Sequence, residues 1–555
     1  MDNKNKLDCV DHIVVLMLEN RSFDNLLGYL YEDGVPKGKK FEGLQDGPRT
    51  LPVPKRAIDY NQHPTVTTQP ATDYHQPYPD PGEVYEHVNT QLFNRLDNDN
   101  IGVDAPKMKP PYNLPNPVPY PAPMDGFVND YINTLQALGG EFNTPRYEQY
   151  QVITQCFKPA QVSVLSTLAK EFAVFDHWFC SVPSQTWCNR AFWHAATSCG
   201  EVINPPDTGD IEAQIEALLR WDDEFNQTPN LFGRMNDRKI SWSIYQEDGI
   251  SLTRFVNGFC NPVFTDDKFK NGLSAFQDDI RNKTLSQYSF IEPNFIFQHN
   301  DQHPSSYGSI LYGETHPGSV LLGEKLIWDV YNAIRTSDTY RDNTLLIITH
   351  DEHGGCFDHV SPTKATPPQK GMVGDKGFTF DRLGVRVPMV MVSAYIAPNT
   401  IINDEHDHTS FIKTCCEKWN LQGLTDRDNK AKSFSKVFTD QRRTLPEIPE
   451  PIIPAVDIER HKQLPLNNLQ KGLLMAASFH TVDKTNLINE LQDVQGMNTI
   501  GDALAHLDKV STRSILCPKS FCARLGFMKP VCDSLLHLLK RLLELILRLF
   551  RGGTN

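Results

Sequence analysis

Two apolar runs in this chain stop at side chains that offer oxygen to a cation. The run Ile13–Leu18, inside DHIVVLMLENRSFDNLLGYL, ends at Glu19 and Asn20. The run Leu345–Thr349, inside TLLIITHDEHGGCFDHV, ends at Asp351 and Glu352. Carboxylate and amide oxygens suit hard or borderline divalent cations. Alone, either pair also reads as a turn or a helix cap. Together, each after a short apolar run, they predict one cation site built from distant parts of the chain. Such a site points to chemistry on an anionic group, with a phosphate ester as the first candidate.

That chemistry needs a nucleophile. The segment CSVPSQTWCNRAFWHAATSCG offers Ser184 and Thr186, in a turn after Pro183 and ahead of a helix predicted from about Asn189. A hydroxyl at a helix N-terminus gains from unpaired N–H groups and the positive end of the dipole. A bound cation can lower its pKa further. Either hydroxyl could equally be an ordinary N-cap, and spacing does not separate the two readings. Histidines are the third component: His303 in NDQHP, His87 in YEHVNTQLF, and His353 and His359 flanking Gly354-Gly355. They could ligate a metal, protonate a leaving alkoxide or bind a phosphoryl oxygen. The phosphate-cradling P-loop, the serine-hydrolase elbow, the zincin helix and the cysteine-phosphatase loop are all missing. No nucleotide cofactor is expected.

The elements that must position these residues read as α/β. Short apolar runs at Phe172–Phe175, Ile240–Tyr245, Tyr288–Ile291 and Val387–Tyr395 read as strands. Helical patterns occupy Phe23–Tyr31, Met124–Leu138, Pro159–Glu171, Val320–Arg335 and Thr409–Leu421. Alternation of this kind favours a parallel sheet, whose ligands sit beyond the carboxyl ends of its strands. Residues 32–122 are rich in Pro, Asp, Asn and Gly and read as a long loop-rich insertion over that edge. The catalytic unit is expected over 1–440, followed by a Pro-rich linker at 441–460 and a helical region at 461–515. Residues 516–555 contain LLHLLKRLLELILRLFRGG, a basic amphipathic helix that reads either as an anchor on a phospholipid membrane surface or as a helix docked on the protein's own core or a dimer seam.

The chain has 555 residues and a net charge of −14, which argues against a nucleic-acid partner. Twelve scattered cysteines read as reduced core residues in the main. The N-terminus shows no signal-peptide pattern, and no apolar run of about 18 residues occurs. A cytoplasmic protein, or one exported by a signal-less route, with peripheral membrane association, is expected.

The strings ENRSFDNLLGYL, PMDGF, VPSQTWCNR, FIEPNF, NDQHP and DEHGGCFDHV, in that order over roughly residues 8–425, resemble the bacterial phosphoesterase family. That family contains phosphatidylcholine-type phospholipases C and acid phosphatases, and plant non-specific phospholipases C share the set. HVNTQLF, FDHWFCSVPSQTWCNRAFWHAATS and RLGVRVP look closest to the zinc-dependent phospholipase C branch of Gram-negative bacteria. The resemblance implies an alkaline-phosphatase-like α/β sandwich with a mostly parallel central sheet and a helical C-terminal extension. It implies Glu19, Asn20, Asp351 and Glu352 as metal ligands and Thr186 as nucleophile. His303, His359 and His87 would lie near the phosphoryl group, with Asn189, Arg190 and His353 as substrate-binding or orienting residues. Cys188 stands where the family pattern has proline. Zinc is the expected metal, with calcium or manganese also compatible with oxygen ligands. The implied activity is phospholipase C through a phospho-threonine; the alternatives are an acid phosphatase on soluble monoesters and a non-enzymatic membrane-interaction protein. Trp178, Trp187 and Trp193 are candidates to hold a choline or ethanolamine head by cation–π contact.

Overall fold

The structure, a computed structural model, describes residues 6–247, 249–305, 317–481 and 486–511. Its centre is an eight-stranded sheet. In chain order the strands are β1 (His12–Leu18), β2 (Ala173–Phe175), β3 (Trp242–Gln246), β4 (Phe269–Asn271), β5 (Tyr288–Ile291), β6 (Thr344–His350), β7 (Met389–Val392) and β8 (Thr400–Ile402). They lie in the order β8-β2-β7-β6-β1-β5-β3-β4. β7 alone runs against its neighbours. The expected mostly parallel sheet with flanking helices is therefore what forms.

β1 and β6 occupy the middle. Their sequences, HIVVLML and TLLIITH, have buried residues on both faces, as a strand covered by helices on each side requires. They pair in parallel and in step, His12 beside Thr344 through to Leu18 beside His350. A shared last row means that Glu19-Asn20 and Asp351-Glu352 emerge side by side at the carboxyl edge. Beyond β1 the chain turns at Asn20, whose φ of 55° suits a short polar side chain. Ser22 then caps helix Phe23–Leu27, accepting from the Asn25 N–H.

The predicted elements recur with moved ends. Helix Thr186–Ala195 starts three residues before the predicted point, so Thr186 opens the helix instead of lying in the turn ahead of it. The insertion is not wholly loop: Tyr85–Phe93 is a helix, packed on helix Phe127–Leu138 in a separate apolar cluster. Helices Asn468–Thr481, Leu487–Gly496 and Ile500–Ser511 share a second core with Trp187, Cys188 and Phe192 of the Thr186 helix. Eight described cysteines are free, and Cys260 is disulfide-bonded. The basic amphipathic segment lies outside the described residues, among which no helix is long and apolar enough to cross a membrane.

Candidate active site at the strand ends

Thr186 is the point at which the two strand ends and the helix meet. Its Oγ1 donates to Glu19 Oε2 at 3.1 Å and lies 3.4 Å from Asn20 Oδ1. The Asn20 main-chain N–H donates to Asp351 Oδ1 at 3.0 Å, across 331 positions of sequence. The Glu352 N–H donates to the same oxygen at 2.8 Å. Gly354 N–H reaches back to Glu352 Oε2 at 2.7 Å. This turn needs its glycines: Gly354 has φ +59°, and a Cβ there would stand 2.2 Å from the Asn20 main-chain oxygen.

Three carboxylates meet here, and only two of them, Glu19 and Asp351, lie within ion-pair distance of Arg190, leaving Glu352 outside its reach. Arg190 donates from Nε and Nη2 to Glu19 Oε1 and from Nη2 to the Met17 main-chain oxygen, with Asp351 Oδ2 3.8 Å away. All four groups are fully or almost fully buried. Burial pushes the Glu19 carboxyl well above its usual range; Arg190 opposes this, while Asp351 and Asp301 add to it. Glu352 is raised in the same way, by burial and then by Glu83 and Asp351. Asp351 Oδ2 and Glu352 Oε1 have no hydrogen-bond partner, which is costly for buried carboxylate oxygens. Orphaned oxygens in an over-acidic pocket fit a divalent cation held by Glu19, Asn20, Asp351 and Glu352. The donor set is all oxygen.

Asn20 is held for that role. Its amide nitrogen donates to Glu83 Oε2 and to His303 Nε2, the latter at 3.0 Å, which turns Oδ1 towards Thr186. His303 Nδ1–H donates to the Pro304 oxygen at 2.9 Å, leaving Nε2 as acceptor. His303 thus orients Asn20. His87 stands with Nδ1 on Asp130 at 2.8 Å. Gln91 joins this pair to the strand end, donating to Asp130 Oδ2 and accepting from His353 Nε2, both at 2.8 Å.

Other predicted residues have different work. His353 is wholly buried, with its ring 3.3 Å from Glu352, and burial lowers its pKa to about 3. This neutral imidazole is fixed through Nε2 on Gln91, and its Nδ1, beside Glu352, has no hydrogen-bond partner. Asn189 spends its amide on the loop before Thr186: it accepts from Val182 N–H at 2.9 Å and donates to the Ser184 oxygen at 2.8 Å. Those bonds fix the nucleophile loop where the family has the proline that Cys188 replaces. Ser184 Oγ donates to the Val202 oxygen, away from the carboxylates. His359 is not brought to Thr186; it pairs with Asp24 and Glu42 in another cluster. Trp178, Trp187 and Trp193 are packed in the core, at most 2% exposed, and none lines a cavity beside Thr186.

That cavity, about 690 Å³, adjoins the site through Gln185, the residue before Thr186. Asp80, Glu83, His87 and Asp207 also line it. Gln185 Nε2 donates to Asp207 Oδ2 at 2.9 Å and Glu83 Oε1 at 3.1 Å. Burial pushes Asp80 and Glu83 up to about 7 and Asp207 to about 6. Sequence reasoning missed these acids, and Asp130 and Gln91 with them. The one signal available was a pair of acids fixed by prolines and glycine in PDPGE, within the insertion expected to overlie the sheet edge.

A model of the Phosphoesterase family matches residues 10–422. Non-specific phospholipase C6 of Arabidopsis thaliana is 32% identical over 460 residues, 79% of this chain and 75% of the relative. Non-specific phospholipase C3 of the same plant is 28% identical over 527 residues, 90% and 88% of the two chains. Phospholipase C B of Mycobacterium tuberculosis is 26% identical over 445 residues, 73% and 72% of the two chains. Among solved structures, an alkaline phosphatase superfamily protein from Vibrio parahaemolyticus overlaps with a TM-score of 0.30 and 11% identity, over 48% of this chain and 63% of that one. So slight an overlap adds nothing to the architecture read from the sheet itself. The sequence match is what decides: this chain belongs to the Phosphoesterase family and is a hydrolase acting on phosphoric ester bonds.

Proposed function

We propose that this hydrolase is a metal-dependent phospholipase C that cleaves glycerophospholipids to diacylglycerol and a phosphorylated head group. The observation that carries the mechanism is Thr186 Oγ1 at the N-terminus of a ten-residue helix, touching both Glu19 and Asn20. The phospholipase C relatives support the substrate class. When bound by Glu19, Asn20, Asp351 and Glu352, a divalent cation supplies positive charge that favours the alkoxide form of Thr186 and neutralises phosphoryl oxygens. Zinc follows from the family resemblance; four oxygen donors also suit calcium or manganese.

Thr186 Oγ attacks phosphorus, and the bond from phosphorus to the diacylglycerol oxygen breaks. The proton on Oγ1 faces Glu19 Oε2, its hydrogen-bond acceptor. His87, as the imidazolium paired through Nδ1 with Asp130, gives its Nε2 proton to the leaving oxygen and takes one back from the water that follows, while Oγ regains its proton from Glu19. Water then adds to phosphorus, the bond to Oγ breaks, and the phosphorylated head group leaves. Arg190 holds Glu19 in place throughout, and the Gly354 N–H holds Glu352. The physical partner is a phospholipid surface.

The test is product analysis with phosphatidylcholine vesicles, with and without chelator, for the wild type and Thr186→Ala. Chelator-sensitive release of phosphocholine is expected, with a trappable phospho-threonine and a loss of at least about 10⁴-fold in kcat for Thr186→Ala. Free phosphate from soluble monoesters, with no diester cleavage, would establish the acid phosphatase reading instead.

A further inference from the structure

The wall beside Thr186 has the wrong charge for a phosphate alone. Asp80, Glu83 and Asp207 line the cavity of about 690 Å³ next to the nucleophile. Among the described residues, none of the three has a Lys or Arg within ion-pair distance; Asp80 has only the His303 ring, at 3.8 Å. Lys376, in the same wall, is occupied by Glu86, which leaves Lys471 as the opposing charge. Asp80 Oδ1 has no hydrogen-bond partner. His87 is only 6% exposed, and with Nδ1 spent on Asp130 its Nε2 side faces this cavity without a hydrogen bond. The wall thus holds three carboxylates without a paired Lys or Arg, one of them with an orphaned oxygen, and an imidazole nitrogen that can meet an ester oxygen.

A phosphodiester carries one negative charge, which such a wall repels. A zwitterionic one reverses the sign where it matters, since its ammonium lies two carbons beyond the ester oxygen. Gln185 sets the reach. It precedes Thr186 in the chain, and its amide nitrogen ties Glu83 and Asp207 together at 3.1 and 2.9 Å. Asn20 touches both Glu83 and Thr186, so one side chain separates the first of these carboxylates from the attacking oxygen. We infer that this cavity is the head-group subsite, and that Asp80, Glu83 and Asp207 select phosphodiesters bearing a cationic alkylammonium head over those with an anionic or uncharged head. The inference rests on the phospholipase C reading and replaces the tryptophan cage expected from the sequence. Charge, not aromatic surface, does the selecting.

The test uses the metal-loaded full chain and two measurements. The first is calorimetric binding of choline and of dimethylbutanol, its uncharged carbon isostere. Choline should bind at least about tenfold more tightly, and Asp80→Asn and Asp207→Asn should each erase most of that difference. The second is kcat/KM on phosphatidylcholine relative to phosphatidylglycerol, a ratio that should fall at least about tenfold in either variant. Equal binding of choline and its isostere overturns the inference, even if phosphatidylcholine is cleaved. Choline binding that the variants weaken, in a protein that cleaves no diester, upholds the subsite and sinks only the phospholipase reading. Loss of a bound metal equivalent in Asp80→Asn or Asp207→Asn overturns the inference, by making the carboxylates cation ligands.

Discussion

Two groups of acids stand at the same end of β1 and differ in how their charge is balanced. In one, Glu19 and Asp351 share Arg190, Glu352 has no guanidinium of its own, and two carboxylate oxygens have no partner. In the other, Asp24 and Asp358 are bridged by Arg386, which donates to each at 2.9 Å and to two main-chain oxygens at 2.7 Å. His359 completes that second group on Asp24. The second cluster has the tighter metal-like shape: ligand atoms of Asp24, Asp358 and His359 lie within 4.8 Å of one another. Its electrostatics say otherwise. A cation would have to displace a fully used guanidinium. Burial works against the Asp24 charge, yet His359 and Arg386 hold its carboxyl below the usual range, whereas Glu19 is pushed far above. Compactness of ligand types and unbalanced charge with orphaned oxygens therefore point to different clusters.

The contrast can be broken most directly by one substitution in each group. Asp351→Asn should cost at least about 10³-fold in kcat and strip the bound divalent cation, as read by elemental analysis of the purified protein. Retention of both would show that the strand ends hold no cation. Asp358→Asn should leave metal content alone but lower unfolding free energy by about 3 kcal/mol, since it leaves Arg386 buried with one partner fewer. Denaturant titration measures this, and a loss of metal instead would exchange the roles of the two clusters.

Smaller effects sharpen the comparison. His353→Gln should weaken metal affinity about tenfold, because it disturbs the Gln91 bond that backs the strand end beside Glu352. Competition with a calibrated chelator gives the number; a change in KM alone would return His353 to the substrate side. The smallest effect is on pH dependence. Burial disfavours the His359 imidazolium, but Asp24 outweighs it and raises the pKa. The stabilisation is therefore full below the unfolded value of about 6.5 and is lost as pH rises through the folded one. Stability measured across this range should fall with pH in the wild type and less steeply in His359→Gln. Parallel profiles would remove the ion pair from the stability account.

What the sequence could show divides along a physical line. Strand runs and their terminal ligands were legible because buried parallel strands leave long apolar strings, and Glu19-Asn20 and Asp351-Glu352 follow them directly. Thr186 could be narrowed to two hydroxyls; the helix start one residue after Gln185 chose between them. Histidine roles were not legible, because His303, His353 and His359 differ only in the second group each one touches: Pro304, Gln91 and Asp24. Nor were Asp80 and Glu83, which lie in irregular backbone, or Asp207, in a three-residue 3-10 turn too short to show a periodicity.

The step-for-step pairing of β1 with β6 also bears on when the enzyme can first act. Glu19 and Asn20 are made early, and their partners Asp351 and Glu352 only after more than half the chain has been synthesised. At about 5–20 residues per second, the first half-site waits on the order of tens of seconds for the second. During that interval a growing chain lacks two of the three carboxylates at its strand ends, so an unfinished copy cannot assemble this site.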